Sequence, residues 1–509
     1  METKLVKHTV CSHHNVRKEK TEILIDSLIT PYATNQPQEI LKCCAHSVIT
    51  GITLSGTRAN IDGNTEVSII FLNAENRLSG ISSTIAFSGS VEMGSEAAES
   101  DIKAEVLDTN ISAEIKGDAI SVKGGVNVCL YAKKTEKCDV VCDVEGAGME
   151  QKVSSARLTS KIGKGEKKLI IEEELSIGPA QPSAECIIRH NITAEIDETK
   201  IIGGKVMIKG TIRAYILYLP EEGVRPQSFE ESFPFSQLID VEGLHENCRP
   251  TASVCILFSE IIPRPDSDGE LRTFSLTAKL AVTVEAYCEE EMPIVCDAYS
   301  TKGCFLCEKE ELPFGRLVCN ISECFVARKS IEFSDGDVAT VIDMWCEVKN
   351  SSCRVEGDKV SVNGTIMANI LAFDLAGEPA CYERPVEFEY SHICSETTNN
   401  PEFTYDICIS HCSYTMTGAN TMAISVEPCI KGFLYDTEKR TVLTNITEDS
   451  DACTEVSPVG RITMYFADKG EEIWDIARRY NSSVAEIKAL NGVTEDVLDK
   501  PCKFIIPSK

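Results

Sequence analysis

The chain has 509 residues, 43% of them apolar, and carries a formal net charge of −29. That length allows about three or four domains, each able to bury an ordinary core. So acidic a surface repels phosphate backbones and anionic lipid headgroups, which argues against nucleic acid and direct membrane insertion and reads most simply as solubility.

The first residues, METKLVKHTVCSHHNVRKEK, hold no apolar core of a secretory signal, so the chain is expected to stay in the compartment where it is made. No stretch approaches the about 18 uninterrupted apolar residues of a spanning helix. The 24 cysteines are scattered, often at strand-like positions such as Cys129, Cys288 and Cys408. In a large chain without an export signal they read as reduced, mostly structural thiols.

Three markers then recur in the same order. The first is an apolar segment at 21–29 (TEILIDSLI), 167–177 (KKLIIEEELSI) and 329–339 (KSIEFSDGDVA). The second is an alternating segment around a glycine at 59–72 (ANIDGNTEVSIIFL), 206–219 (VMIKGTIRAYILYL) and 360–373 (VSVNGTIMANILAF). Period two marks a half-buried strand. One face collects Val206, Ile208, Ile212, Ala214, Ile216 and Tyr218 in the second copy, and Val360, Val362, Ile366, Ala368 and Ile370 in the third. Gly63, Gly210 and Gly364 lie inside these strands, where glycine marks a bulge or a sharp bend. The third marker, at 126–143, 282–297 and 431–445, places a tyrosine before a charged stretch and a further apolar run, which reads as a β-hairpin.

Markers recurring after about 150 residues are too far apart for a solenoid and predict three copies of one mainly-β domain, each with its own core. The boundaries fall near 163 and 325, giving domains at 1–163, 164–325 and 326–455. Sandwich and barrel both satisfy the alternation.

Residues 450–461 (SDACTEVSPVGR) read as a linker that leads from the third repeat into a last unit at 456–509. RITMYFA (461–467) reads as a strand. Ile473, Ile476, Ala477 and Tyr480 make the core stripe of an amphipathic helix, and Val484, Ile487 and Leu490 a second, with Ser482 and Ser483 as N-caps. CKFIIP (502–507) closes a βααβ order, a small α+β unit.

Tyr465, Gly470, the 473–481 run, Val484, Ile487, Leu490, Asn491 and the final FIIP make this unit resemble a LysM domain. The whole chain resembles the clostridial spore-morphogenesis family built of SPOCS (spore-coat-associated) repeats and a C-terminal LysM. The segments EEELSI (172–177), KVMIKGTIRAYILYLPEE (205–222) and FPFSQLIDVEG (233–243) carry that resemblance, which is clearest in the second repeat. It implies a non-enzymatic adaptor in the mother-cell cytoplasm, at the forespore surface or spore coat. The adaptor would tether a spore-coat morphogenetic ATPase through its LysM, and the β repeats would offer a surface for other coat proteins. The alternative is a protein that binds cortex or cell-wall peptidoglycan through the same domain.

In glycan-binding LysM domains the first groove loop reads Gly-Asp-Thr; here it is Gly470-Glu471-Glu472. Two long carboxylates crowd a sugar groove, which argues against peptidoglycan, and suit a basic protein surface. Trp474 lies at the edge of the helix stripe with Arg478 beside it, a pairing typical of protein-interface hot spots. Core-edge packing, protein contact and sugar stacking all remain open for that ring. The expected partner contacts are Lys469, Gly470, Glu471, Glu472, Ile473, Trp474 and Arg478, with Asn491, Gly492 and Val493 from the second loop.

No catalytic constellation and no cofactor motif emerge. No phosphate-binding glycine loop, dinucleotide fingerprint or GxSxG elbow is present. CSHH (11–14) lacks the four ligands of a zinc site, and Cys304-x-x-Cys307, followed by Cys319 and Cys324, has no partner pair, so no metal is expected. The acid pairs Glu172/Glu174 and Glu289/Glu291 read as solvated faces.

Overall fold

The computed structural model describes residues 3–31, 35–97, 100–221, 225–266, 268–334, 338–418, 420–449 and 463–507, and within these not the side chains of 11–16, 96 and 135–136. The linker read at 450–461 and the histidines of CSHH lie outside that description.

One strand order occurs three times. The first repeat runs β1 (Lys4–Ile29), β2 (Pro37–Ser55), β3 (Arg58–Asn73), β4 (Leu78–Glu92), β5 (Asp101–Lys116) and β6 (Ala119–Glu145). The second runs β7 (Met149–Ser176), β8 (Ala184–Ile202), β9 (Lys205–Pro220), β10 (Gln227–Asp240), β11 (Arg249–Pro265) and β12 (Leu271–Ser300). The third runs β13 (Phe305–Cys324), β14 (Ala327–Glu332), β15 (Thr340–Glu356), β16 (Lys359–Phe373), β17 (Pro379–Ile393), β18 (Pro401–Met416) and β19 (Thr421–Glu448). In each, a meander (β2-β3-β4, β8-β9-β10, β15-β16-β17) faces a second antiparallel sheet (β1-β6-β5, β7-β12-β11, and β13 and β14 with β19 and β18). β14 continues the β13 pairing along β19, so it is the same strand interrupted. The repeats are therefore sandwiches, not barrels. Residues 163 and 164 lie inside β7, and 325 lies between β13 and β14.

Strict alternation explains the packing. Val206, Ile208, Ile212, Ala214, Ile216 and Tyr218 on β9 are fully buried against Phe274, Leu276, Ala278, Leu280, Val282 and Val284 of β12. Val360, Val362, Ile366, Ala368 and Ile370 do the same on β16. The conspicuous apolar ends of the central strands have a second cause. Ile70, Leu72, Leu217, Leu219 and Leu371 point away from their own sandwich into a core shared by all three meanders, which Trp345 joins. A strand buried on both faces reads as a continuous apolar run.

The glycines of the central strands have a specific use. Gly63, Gly210 and Gly364 stand directly opposite Phe87, Phe235 and Phe388 on the next strand. Each aromatic ring lies over its glycine, so a Cβ there would press into it. The bulges expected at these glycines are displaced to the strand on the other side, between Ile49 and Gly51, Ile196 and Glu198, and Val348 and Asn350.

The third marker is not a hairpin. Residues 126–143, 282–297 and 431–445 lie within the single strands β6, β12 and β19. Their charged stretches contain no glycine or Asn-Gly turn, and ladder pairing with β1, β7 and β13 runs through them. The far halves of these long strands meet in two more shared cores, one around Val140, Ile294 and Val442, the other around Val141, Val295 and Leu443.

The last unit is β20 (Thr463–Ala467), α1 (Ile473–Arg479), α2 (Val484–Asn491) and β21 (Cys502–Ile506), with β20 and β21 antiparallel. Ile473, Ile476, Ala477, Ile487 and Phe504 form its core. Two stripe residues are exceptions. Tyr480 caps the C-terminus of α1 and is 38% exposed, because the backbone turns left-handed at Asn481. Leu490 is 53% exposed at the end of α2. Ser483 is the N-cap of α2 but makes no side-chain cap bond. Among the described residues no helix is long and apolar enough to cross a membrane.

Candidate partner-binding site

The approach to α1 is set by backbone. Gly470 has φ +92°, a conformation that glycine alone adopts without strain. Its N–H bonds Leu498 O, the Leu498 N–H bonds Glu471 O, and the Ile473 N–H bonds Asp496 O. The loop before α1 is thereby zipped to the loop after α2. Glu471 folds back: its carboxylate accepts from the Tyr465 hydroxyl at 2.9 Å and from the Asp468 N–H at 3.0 Å. Lys469 stays exposed in the turn.

The next residues face the repeats. Glu472 pairs with Lys152 of β7. Trp474 Nε1 donates to Asp297 Oδ2 at 2.9 Å, and the Arg478 guanidinium donates to the same oxygen at 2.8 Å. Lys309 of β13 reaches Asp297 Oδ1 at 2.8 Å. The Tyr299 ring meets the Trp474 ring edge-on at 5.0 Å, and its hydroxyl donates to Ser482 O at 2.7 Å. Tyr299 is only 5% exposed and packs into the core of the C-terminal unit.

A bulge presents these trunk groups. The β12–β7 register shifts between Val295 and Asp297, leaving Cys296 as the extra residue and setting Asp297 opposite Lys152. Such a bulge re-aims the side chains that follow it. Burial alone would push the Asp297 carboxyl up, but Lys309, Trp474 and Arg478 outweigh it and hold the group below the usual aspartate range. Burial, with Glu150 and Asp297 nearby, pushes the Tyr299 phenol up, so it stays a neutral donor.

The structure thus brings Glu472, Trp474 and Arg478 together against the trunk and leaves Ile473 in the core. Asn491, Gly492 and Val493 have structural duties within the domain. The Asn491 amide bonds Ile487 O and both backbone groups of Ile505, Gly492 closes α2 in the left-handed region, and Val493 packs on the core. Asp297, Tyr299, Lys152 and Lys309 were not anticipated. The available signal was an aspartate inside the apolar strand segment 294–299.

Other chemistry is sparse among the described residues. The nearest approach to a catalytic trio is Ser259, Glu66 and His190, but there the carboxylate bridges serine and histidine, so the imidazole cannot take the serine proton. Cys142 lines a shallow depression with His8 and Glu290, and burial pushes its thiol up, away from a reactive thiolate. Two groups bring metal-ligand types together, His245 with Cys248 and Cys288, and Cys319 with His392 and Cys394. Neither includes Cys304 or Cys307. The Cys319 and Cys394 sulfurs stand 3.0 Å apart. Two thiolates about 2.3 Å from one tetrahedral zinc keep roughly 3.8 Å between them, so this spacing suits a thiol pair. Cys324 and Cys429 are joined in a disulfide, an exception to the expected reduced thiols.

Comparison with protein families matches residues 36–116 and 183–258 to "SipL, SPOCS domain" and residues 468–499 to "LysM domain". No curated protein and no solved structure gave a match. The SPOCS segments are β2 to β5 and their counterparts from β8 into β11, and β15 to β18 repeat that order. The chain thus carries SPOCS-type segments and a C-terminal LysM domain, the domain combination of the family that its sequence resembles.

Proposed function

We propose that the protein is a non-enzymatic adaptor of spore-coat assembly, which tethers a coat-basement ATPase at the forespore surface through its LysM domain. SPOCS and LysM domains together mark a sporulation-associated LysM protein. The observation that carries the protein-binding reading is the α1 face, where an indole N–H and a guanidinium converge on one carboxylate beside an aromatic ring. That is the make-up of a polypeptide hot spot. Linking such a face to a large trunk works by effective concentration: once one part is docked, the other is held near its site.

A second reading has one observation in its favour. The trunk covers Trp474 but leaves Lys469, Gly470, Thr494 and Val497, on the two groove loops, exposed. That opening is where a glycan would lie, and it is compatible with peptidoglycan binding.

Co-purification of the ATPase from sporulating cells with the full-length chain, but not with a chain ending at Val456, is the expected result. Retention of the ATPase by the shortened chain would remove the LysM from the contact. Sedimentation of the full-length chain with purified peptidoglycan tests the second reading, and the expected outcome is protein left in the supernatant.

A further inference from the structure

The α1 face is already occupied. Trp474 has one donor and Arg478 a fork of them, and both aim at Asp297 Oδ2. Tyr299, two residues on, supplies a ring edge to Trp474, and Lys152 flanks the pair by holding Glu472. The trunk therefore offers this face an acidic group, an aromatic ring and a peripheral cation.

The two sides of the contact are unequal. If the LysM leaves, Asp297 keeps Lys309 at 2.8 Å and the Ala298 N–H at 3.0 Å. Trp474 and Arg478 lose their shared acceptor and, with it, the ring that covers the indole. The open face is thus an unsatisfied donor and cation set beside an exposed aromatic, and its complement is an anion beside a ring. The sequence pointed toward a basic partner because of Glu471 and Glu472. Both are engaged, one by Tyr465 and Asp468 within the domain and the other by Lys152. β20 and β21 pair only with each other among the described strands, so no strand ladder joins the two parts.

We propose that this LysM face recognises a carboxylate set beside an aromatic ring, that Asp297 and Tyr299 fill it as an internal stand-in, and that the partner protein engages it by displacing them with an acidic, aromatic-bearing segment of its own. This rests on the adaptor reading and specifies the regulation and partner chemistry of that same face. A tethered competitor lowers apparent affinity by the fraction of chains that are open. Trunk and LysM then act as a closed state that only the correct partner opens.

The test uses the purified full-length chain with Trp345→Phe, which leaves Trp474 as its one tryptophan. Asp297→Asn removes the charge at the centre of the contact. Lys152→Glu sets a like charge against Glu472 from an exposed site, so it opens the contact without threatening the fold. Acrylamide quenching of Trp474 is expected to rise about twofold in both variants, and affinity for the purified coat ATPase about tenfold. Trp474→Ala is expected to abolish that binding. Unchanged quenching in both variants overturns the closed state. Raised quenching with unchanged ATPase affinity shows that the partner uses another surface, which overturns this inference and leaves the adaptor reading standing. No ATPase binding by any variant or by the parent chain removes the adaptor reading, and this inference with it.

Discussion

Gly63 and Phe87 form one of three equivalent cross-strand pairs, and the ring is packed so closely that the glycine has no room for a methyl group. Gly63→Ala is expected to destabilise the fold by about 1–3 kcal/mol through overpacking. Phe87→Ala alone is expected to cost about 3–5 kcal/mol, the usual toll of an emptied aromatic site. The double variant should cost less than the sum, because removing the ring removes the clash. Urea denaturation of the four chains gives the coupling directly, and strict additivity would contradict the pairing. Glu285 is a second residue with a measurable signature. Burial pushes its carboxyl up, but Lys103 of β5, then Lys161 of β7 and the Tyr287 hydroxyl, hold it down at about 2. Its folded value lies below the free value of 4.5, so the ionised form stabilises the fold. That contribution is fully present above pH 4.5 and is lost as the pH falls toward 2. After screening at the half-exposed Lys103 it is on the order of 2 kcal/mol. Glu285→Gln should remove this part of the acid sensitivity, which thermal melts between neutral and acidic pH will show.

At the scale of elements, the long strands carry a charged stretch where a turn was expected. Backbone amides within Glu289–Met292 of β12 pair with β7, so alternate ones should exchange slowly with solvent, whereas a hairpin turn would leave them fast. Hydrogen exchange resolves the difference. The central strands β3, β9 and β16 were legible in the sequence because both alternation and its breakdown have local causes: one face meets the sandwich core, and the apolar end meets neighbours on both sides. The order of the C-terminal unit was legible for the same reason, since helix stripes and strand runs are local patterns. The ends of its helices were not. Tyr480 is the non-helical cap of α1, and at 100° per residue Leu490 lies about 120° around α2 from Val484, so both fall outside the buried face. The environment of Trp474 was legible only as a ring at the edge of a stripe. Its acceptor lies 177 positions away, on a strand whose bulge has no marker in its own sequence.

For the whole molecule, the shared cores decide how independent the repeats are. Each sandwich has its own interior, yet Ile70, Leu217 and Leu371 meet in one cluster, and Val140, Ile294 and Val442 in another. Arg189 of β8 crosses between repeats, pairing with Asp343 at 3.1 Å while its guanidinium lies over the Trp345 ring at 4.3 Å. Calorimetry of residues 1–449 should therefore show one dominant transition, not three resolved ones. Trp345→Ala should lower its midpoint by opening the common cluster, by about 3–5 kcal/mol in stability. Clusters of this kind also constrain how the chain is born. Two finished sandwiches cannot close a cluster whose third wall is still inside the ribosome, so the side of Ile70, Leu72, Ile188 and Leu219 that Trp345 and Leu371 cover stays open until β16 has been translated. Every molecule passes through an interval in which a nearly complete trunk displays a greasy seam, and chaperone occupancy during synthesis should peak there and end with the third repeat.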